Sequence, residues 1–192
     1  MNTPGSEVSS HVAAIHDWQR VLTPSQVVSD PSILDSFSRT TLVHGTRPIC
    51  ILFPESSAEV QAIVRVARDH GVPLYPISRG KNWGYGDACA PRDGMAIVDL
   101  CRMNRIIEVN TELAYAVVEP GVSQIQLYNY LKAYAPHLWM DCTGAGTEAS
   151  LVGNTLDRGF GHTRYGDHFA TTCGMEIVLA DGTVLRTGFC HY

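Results

Sequence analysis

The sequence predicts an α+β, or mixed α/β, domain, and three observations carry that expectation. Segments with the apolar spacing of helices are interspersed among short β-rich runs, without a regular strand–helix alternation. Asp181-Gly182 stands between two such runs and is a strong hairpin signal, so at least one strand pair should be antiparallel. The 192 residues are 45% apolar and 17% charged, which suits a buried core and argues against extended disorder. That length fits one domain or two small ones, here divided as an N-terminal extension with a helix, 1–45, and a main domain, 46–192.

Residues 1–10 are polar and expected to fray. Val12, Ile15, Trp18 (or Gln19) and Leu22 give 11–22 a loose helical stripe that ends before Pro24. Residues 27–40, with Pro31 and several serines, read as linker-like, and 48–53 as a short strand. The clearest helix is 57–70. Ser56 and Glu59 have capping-box spacing, Val60, Ile63, Val64 and Ala67 share a face, and Gly71 stands where a C-terminal glycine would end it. A strand over 72–77 follows. Residues 95–100, 106–110 and 115–119 are β-rich, and Glu119-Pro-Gly121 is a turn. Ser123 and Gln126 repeat the capping-box spacing before a helix to about Tyr134, with Ile125, Tyr128 (or Asn129) and Leu131 on it. A short helix over 150–158 and the hairpin 175–180/184–187 complete the order. No internal repeat or low-complexity segment is present.

Chemistry concentrates in Pro76-Ile-Ser-Arg-Gly-Lys-Asn-Trp-Gly-Tyr-Gly86. Gly80, Gly84 and Gly86 let backbone N–H groups approach a ligand, and successive N–H groups in such a turn form an anion-binding concavity. Arg79 and Lys81 add positive charge; Asn82 and Tyr85 add polar tips. The guest that suits this loop is a phosphate or pyrophosphate; the other reading is a surface turn with no guest. The spacing is not a P-loop, because Asn82 follows Lys81 where Ser or Thr is required, and it is not a dinucleotide fingerprint. A second glycine stretch, Thr143-Gly-Ala-Gly-Thr-Glu-Ala-Ser150, contains Gly144-x-Gly146-x-x-Ala149 but lacks the preceding strand and following βαβ unit of that fingerprint.

The first run, together with Val98-Asp-Leu100, Met103-Asn-Arg-Ile106, Ala116-Val-Val-Glu-Pro-Gly-Val122, Gly153-Asn154, Asp157-Arg-Gly159, Tyr165-Gly-Asp-His168, Gly174-Met-Glu-Ile-Val-Leu-Ala180 and Leu185-Arg-Thr-Gly188, resembles the vanillyl-alcohol oxidase / p-cresol methylhydroxylase flavoproteins in order and spacing. The likeness covers about 47–192. It implies a PCMH-type FAD-binding domain of two small α+β subdomains with FAD extended between them, incomplete at the C-terminus.

The resemblance implies hydride transfer from a para-substituted phenol, of the 4-cresol or vanillyl-alcohol type, to FAD. Ser78, Arg79, Gly80, Lys81, Asn82, Trp83, Gly84 and Tyr85 would form the pyrophosphate loop. Pro120, Gly121, Gly144, Gly153, Asn154, Gly161 and Ile177 would supply further cofactor contacts. Tyr85 is the expected catalytic tyrosine, since a phenol O–H can donate to a substrate phenolate. The family's flavin-proximal aspartate falls where this chain has Gly144 or Ala145, leaving Glu148 as the nearest carboxylate and turning the expectation toward the cresol-dehydrogenase side. Trp83 stands where some relatives link a histidine to FAD, so no such bond is expected there.

The family's cap domain and last FAD-domain segment lie beyond residue 192. The resemblance therefore predicts weak FAD binding and no useful turnover by this chain alone. A C-terminal half or an oligomer partner would complete it. The alternative is a truncated, non-catalytic FAD- or partner-binding module.

The net charge of −5 argues against a general nucleic-acid binder. FAD is itself anionic, so binding it needs local donors. The six cysteines contain no CxxC, and His162, His168 and His191 lack metal-ligand spacing, so no metal is expected. Asp157-Arg158 reads as a structural ion pair and Asp167-His168 as structural hydrogen bonding. No run approaches the ~18–20 apolar residues of a membrane span. With no basic-then-apolar leader, the expectation is a cytoplasmic protein with reduced thiols.

Overall fold

A computed structural model describes residues 4–82 and 84–188. Trp83, placed by the sequence in the cofactor loop, lies outside the described residues, as do Cys190 and His191.

Helix α1 (Pro4–Val21) is followed by β1 (Val27–Val28), α2 (Pro31–Phe37), β2 (Cys50–Leu52), α3 (Ser57–His70), β3 (Leu74–Ile77) and β4 (Ala96–Asp99). These build one layered unit. Its sheet has the order β1-β2-β4-β3, with β1 antiparallel to β2 and the other pairs parallel. All of β2 and β4 is buried, as expected for parallel strands covered on both faces. Their side chains alternate between two cores. Cys50, Leu52, Ala96 and Val98 meet Ala14 and Trp18 of α1 and Ile63 and Ala67 of α3. Ile51 and Ile97 turn the other way, onto Leu34 of α2, Ile77 and Met95.

The expected capping box of α3 forms on one side only, because the Glu59 carboxylate accepts from Glu55 N and from the Gln26 amide, each at 2.7 Å, instead of from Ser56 N. Ser56 Oγ accepts from Glu59 N, and Gly71 closes the helix with φ 66°. Helix α1 starts earlier than the apolar stripe suggested, because it is fastened to α3. Ser10 Oγ donates to the His70 carbonyl at 2.5 Å, Asp17 and His70 meet at 2.8 Å, and the fully buried Trp18 donates its ring N–H to the Ile63 carbonyl at 3.1 Å.

Residues 27–40 are not a linker. Val27 and Val28 pair with Leu52 and Ile51, and α2 begins where the Asp30 carboxylate accepts from Ser32 N and Ile33 N with Pro31 in the first turn. A proline just inside a helix start behind an aspartate cap is a helix signal rather than a breaker.

The second unit packs α4 (Gln124–Tyr134) on the hairpin of β5 (Ile106–Asn110) and β6 (Tyr115–Val118). Val122, Leu127, Leu131 and Ala135 are its core, with Leu151 of α5 (Leu151–Leu156) against it. The last hairpin, β7 (Gly174–Val178) and β8 (Val184–Gly188), lies along α3. There Gln61 Nε2 donates to the Gly182 carbonyl at 2.7 Å and Ser57 Oγ to the Glu176 carboxylate at 2.6 Å. The result is a mixed α/β fold of two small units, matching the fold class expected. No described helix is long and apolar enough to cross a membrane.

Candidate functional site

Strands β3 and β4 run parallel and end side by side, with Ile77 opposite Asp99. Ligand crevices in such sheets form outside the carboxyl ends of the strands. The glycine run leaves from this edge. Gly80 has φ 59°, and a Cβ there would stand 2.7 Å from the Ala88 Cβ, so the turn requires glycine. The Asn82 carbonyl then accepts from the N–H groups of Tyr85 (2.9 Å) and Asp87 (2.8 Å), curling the loop back on itself.

A cavity of about 340 Å³ opens at this turn, lined by Phe37 of α2, Arg39, Arg79, Gly80, Lys81, Asp87 and Asp99 among others. Arg39 and Lys81 form no salt bridge among the described residues. Asp99 is 6% exposed and accepts from Cys101 N at 2.9 Å. Burial pushes its carboxyl above the usual carboxylate value, opposed by that hydrogen bond and by Arg79 and Lys81. A larger depression lies along α1, by Val8, Val12 and His16. It is lined by one helix and is remote from the loops in sequence and contact.

Arg79 does not point a free charge into the cavity. Its Nε donates to the Glu148 carbonyl at 2.8 Å, Nη2 to the Glu148 carboxylate at 2.7 Å and Nη1 to the Gly121 carbonyl at 3.2 Å. One guanidinium thus joins the first glycine loop, the 120–122 turn and the second glycine loop. The Pro120 carbonyl accepts from Ser150 Oγ at 2.6 Å, which fastens the same turn to the start of α5. Asn82 donates its side-chain amide to Asp157 at the end of α5, and Ser78 packs against Gly153.

Tyr85 is 73% exposed at the loop tip. Glu148 is half-exposed, with its carboxylate held by Arg79. Gly84 and Gly144 face open space. The Asn154 side chain turns inward to His168, with Oδ1 2.6 Å from Nδ1. Gly161 backs onto Asp141. Ile177 is on β7, the strand that packs along α3, and is partly exposed. The Asp157–Arg158 ion pair is not formed. Asp157 takes Asn82, and the Arg158 guanidinium stacks 4.3 Å over the Phe169 ring, a cation–π contact the sequence order does not announce. Asp167 accepts from Ala170 N at 3.2 Å, a structural role as expected.

Sequence reasoning missed Arg39, because it assigned 27–40 to a linker. It missed Asp99 and Asp141 because neither sits in a glycine motif. The Asp30-Pro31 cap was the signal that could have replaced the linker by a helix ahead of Arg39.

The residues fit a dinucleotide diphosphate. The turn requires glycine, two cations at the cavity carry no carboxylate partner in a salt bridge, and the cavity lies at the strand ends. The chain belongs to the FAD binding domain family, whose match covers residues 48–188.

Among its relatives, 1'-carboxy-chondrochloren decarboxylase of Chondromyces crocatus is 44% identical over 93% of this chain and 33% of that protein. The 4-cresol dehydrogenase [hydroxylating] flavoprotein subunit of Pseudomonas putida is 45% identical over 68% of this chain and 25% of that protein. In structure the chain superposes on p-cresol methylhydroxylase with substrate bound (TM-score 0.91, 34% identity, 97% of this chain and 36% of that one). It superposes equally on 4-ethylphenol oxidase from Gulosibacter chungangensis in its isoeugenol complex (TM-score 0.90, 35% identity, 96% and 36%). The chain spans about a quarter to a third of the length of these relatives. It is an FAD-binding domain of flavin oxidoreductases related to p-cresol methylhydroxylase.

Proposed function

We propose that this chain is the FAD-holding part of an oxidoreductase acting on para-substituted phenols. The observation that carries the reading is the pair of solved relatives above 0.9 in TM-score, one with its cresol-type substrate class in its name and one holding isoeugenol. FAD supplies the hydride acceptor when bound. The chain's own part is to hold the diphosphate with the N–H groups of 78–82, with Lys81 and Arg39 neutralising its charge.

Tyr85 is supported as a phenolate contact by its position at the tip of that loop, with its ring largely in solvent. A hydroxyl there can donate to the phenolate oxygen and favour the deprotonated form, from which hydride leaves the para substituent more readily. Glu148 has less support as an acid–base group, since its carboxylate is already engaged by Arg79. The chain spans only part of these relatives' length, so the substrate pocket and the exclusion of water are proposed for the whole protein. Turnover is therefore assigned to the completed protein and not to this chain.

A second reading has its own observation. The decarboxylase relative covers 93% of the chain, more than the cresol dehydrogenase subunit does. It keeps the FAD role and replaces the alkylphenol by a carboxylated substrate. Anaerobic mixing of the FAD-loaded, completed protein with 4-cresol or 4-ethylphenol separates the two. Flavin bleaching with alkylphenols is the expected result. Bleaching only with a carboxylated substrate, with release of carbon dioxide, would move the assignment to the second reading, and no bleaching with either would remove both.

A further inference from the structure

Two buried side-chain polar atoms among the described residues have no hydrogen-bond partner, and they face each other. Asp141 Oδ2 and His168 Nε2 stand 3.5 Å apart, on side chains 10% and 16% exposed. Neither is a chance neighbour. His168 Nδ1 is fixed 2.6 Å from Asn154 Oδ1, and Asp141 Oδ1 accepts from Cys142 N at 3.1 Å. The space for them is kept by two glycines: a Cβ on Gly161 would overlap the Asp141 carboxylate, and one on Gly159 would overlap the Asn154 amide. The antiparallel bridge between Thr143 and Gly161 joins the second glycine loop to the 159–168 segment that carries His168.

A carboxylate oxygen facing an imidazole lone pair would leave two buried acceptors repelling each other, and buried polar groups without partners are costly. A proton on Nε2 removes the conflict. The Asn154 amide can turn oxygen or nitrogen toward Nδ1, so it serves either charge state of the ring. We propose that Asp141 and His168 are a positioning pair that shares the Nε2 proton and fixes the 142–148 loop against α5. The consequence for the cofactor rests on the reading of that loop as flavin-facing; the pair itself does not.

The test uses the 192-residue chain with Asp141→Asn, His168→Gln and the double variant. Hydrogen exchange at the amides of 142–148 is expected to rise on the order of ten-fold in each single variant, as for one lost buried hydrogen bond to a charged group. The double variant should be no worse than the worse single, and the β2 and β4 amides should keep their protection. Nitrogen NMR of the wild-type His168 ring should show a proton on Nε2.

Unchanged exchange in both singles, additive losses in the double, or a bare Nε2 would overturn the pair. If a variant unfolds, the wild-type ring measurement decides alone. In FAD-loaded protein, the single variants should change the visible circular dichroism of the flavin at equal occupancy; an unchanged signal would remove the positioning role at the flavin. If the wild type retains no FAD, either alone or with the completing segment supplied, while the exchange and ring results hold, the cofactor reading fails and the pair stands.

Discussion

Arg79 and Glu148 are joined twice, backbone and side chain, by one guanidinium: Nε to the Glu148 carbonyl at 2.8 Å and Nη2 to its carboxylate at 2.7 Å. The third bond, to the Gly121 carbonyl, makes Arg79 the link between the two glycine loops and the 120–122 turn. A residue that the sequence presents as a phosphate-facing cation is therefore first a scaffold for the loop that does face the cavity.

Replacing Arg79 by Ala should cost about 1–3 kcal/mol of stability, because the carbonyl of the buried Gly121 loses a charged donor and the link to the second glycine loop is lost. Glu148→Gln should cost under about 1 kcal/mol, since the half-exposed carboxylate is screened and the carbonyl bond survives. Urea unfolding of both variants checks the order. Loss of flavin reduction in Glu148→Gln of the completed protein, at unchanged stability, would instead give Glu148 the acid–base role.

Gly80 and Gly84 should differ sharply although both sit in the same run. Gly80→Ala forces a side chain into φ 59° and onto Ala88, a cost of about 1–3 kcal/mol. Gly84→Ala meets nothing within 4 Å and should stay within about 0.5 kcal/mol of the wild type. Thermal unfolding of the two variants reads the difference.

Cysteine labelling should divide the thiols by environment. Burial pushes Cys50 up to about 12; burial, with the nearby Asp99 charge, pushes Cys101 up to about 11, so both hold little thiolate at neutral pH. Cys142 and Cys173 are exposed. Mass spectrometry after brief alkylation should find modification at Cys142 and Cys173 and little at Cys50 and Cys101; rapid labelling of Cys50 would show that the sheet core opens.

Two aspartates should shape the pH dependence in opposite directions. The hydrogen bond from His70 holds Asp17 below its ordinary 3.8, so its contribution is present above that value and lost as the pH falls through its lower folded value. Asp17→Asn should lower stability at neutral pH and change little in strong acid. Burial raises Asp99 above 3.8, so its contribution is present below that value and lost as the pH rises through its higher folded value. Asp99→Asn should raise the Tm of the cofactor-free chain at neutral pH. Unfolding curves across pH 2–7 would show two crossing trends; parallel trends would contradict the assignment.

Much of the scaffold was legible because its signals are local. The α3 cap at Ser56, the closing Gly71 and the Asp181-Gly182 hairpin each reside within a few residues and appear as expected. What was not legible depends on contacts far apart in the chain. Helix α1 extends to Pro4 with support from His70, some sixty residues on from Ser10, and Arg158 stacks on Phe169 instead of pairing with its neighbour. At the site, the glycine loop could be read from its composition. Arg39 could not, because only the fold of α2 brings it to the cavity, and Asp141 and His168 are far apart in the chain and meet where the Thr143–Gly161 and Phe160–Asp167 bridges fold the segments together.

The most direct measurement is an FAD titration of the 192-residue chain, followed by flavin fluorescence and by flavin retained after gel filtration. The diphosphate cavity predicts saturable binding that Lys81→Ala and Arg39→Ala each weaken by roughly ten-fold, the worth of one charged hydrogen bond. Binding indifferent to both cations, or no binding by the folded chain either alone or with the completing segment supplied, would contradict the account.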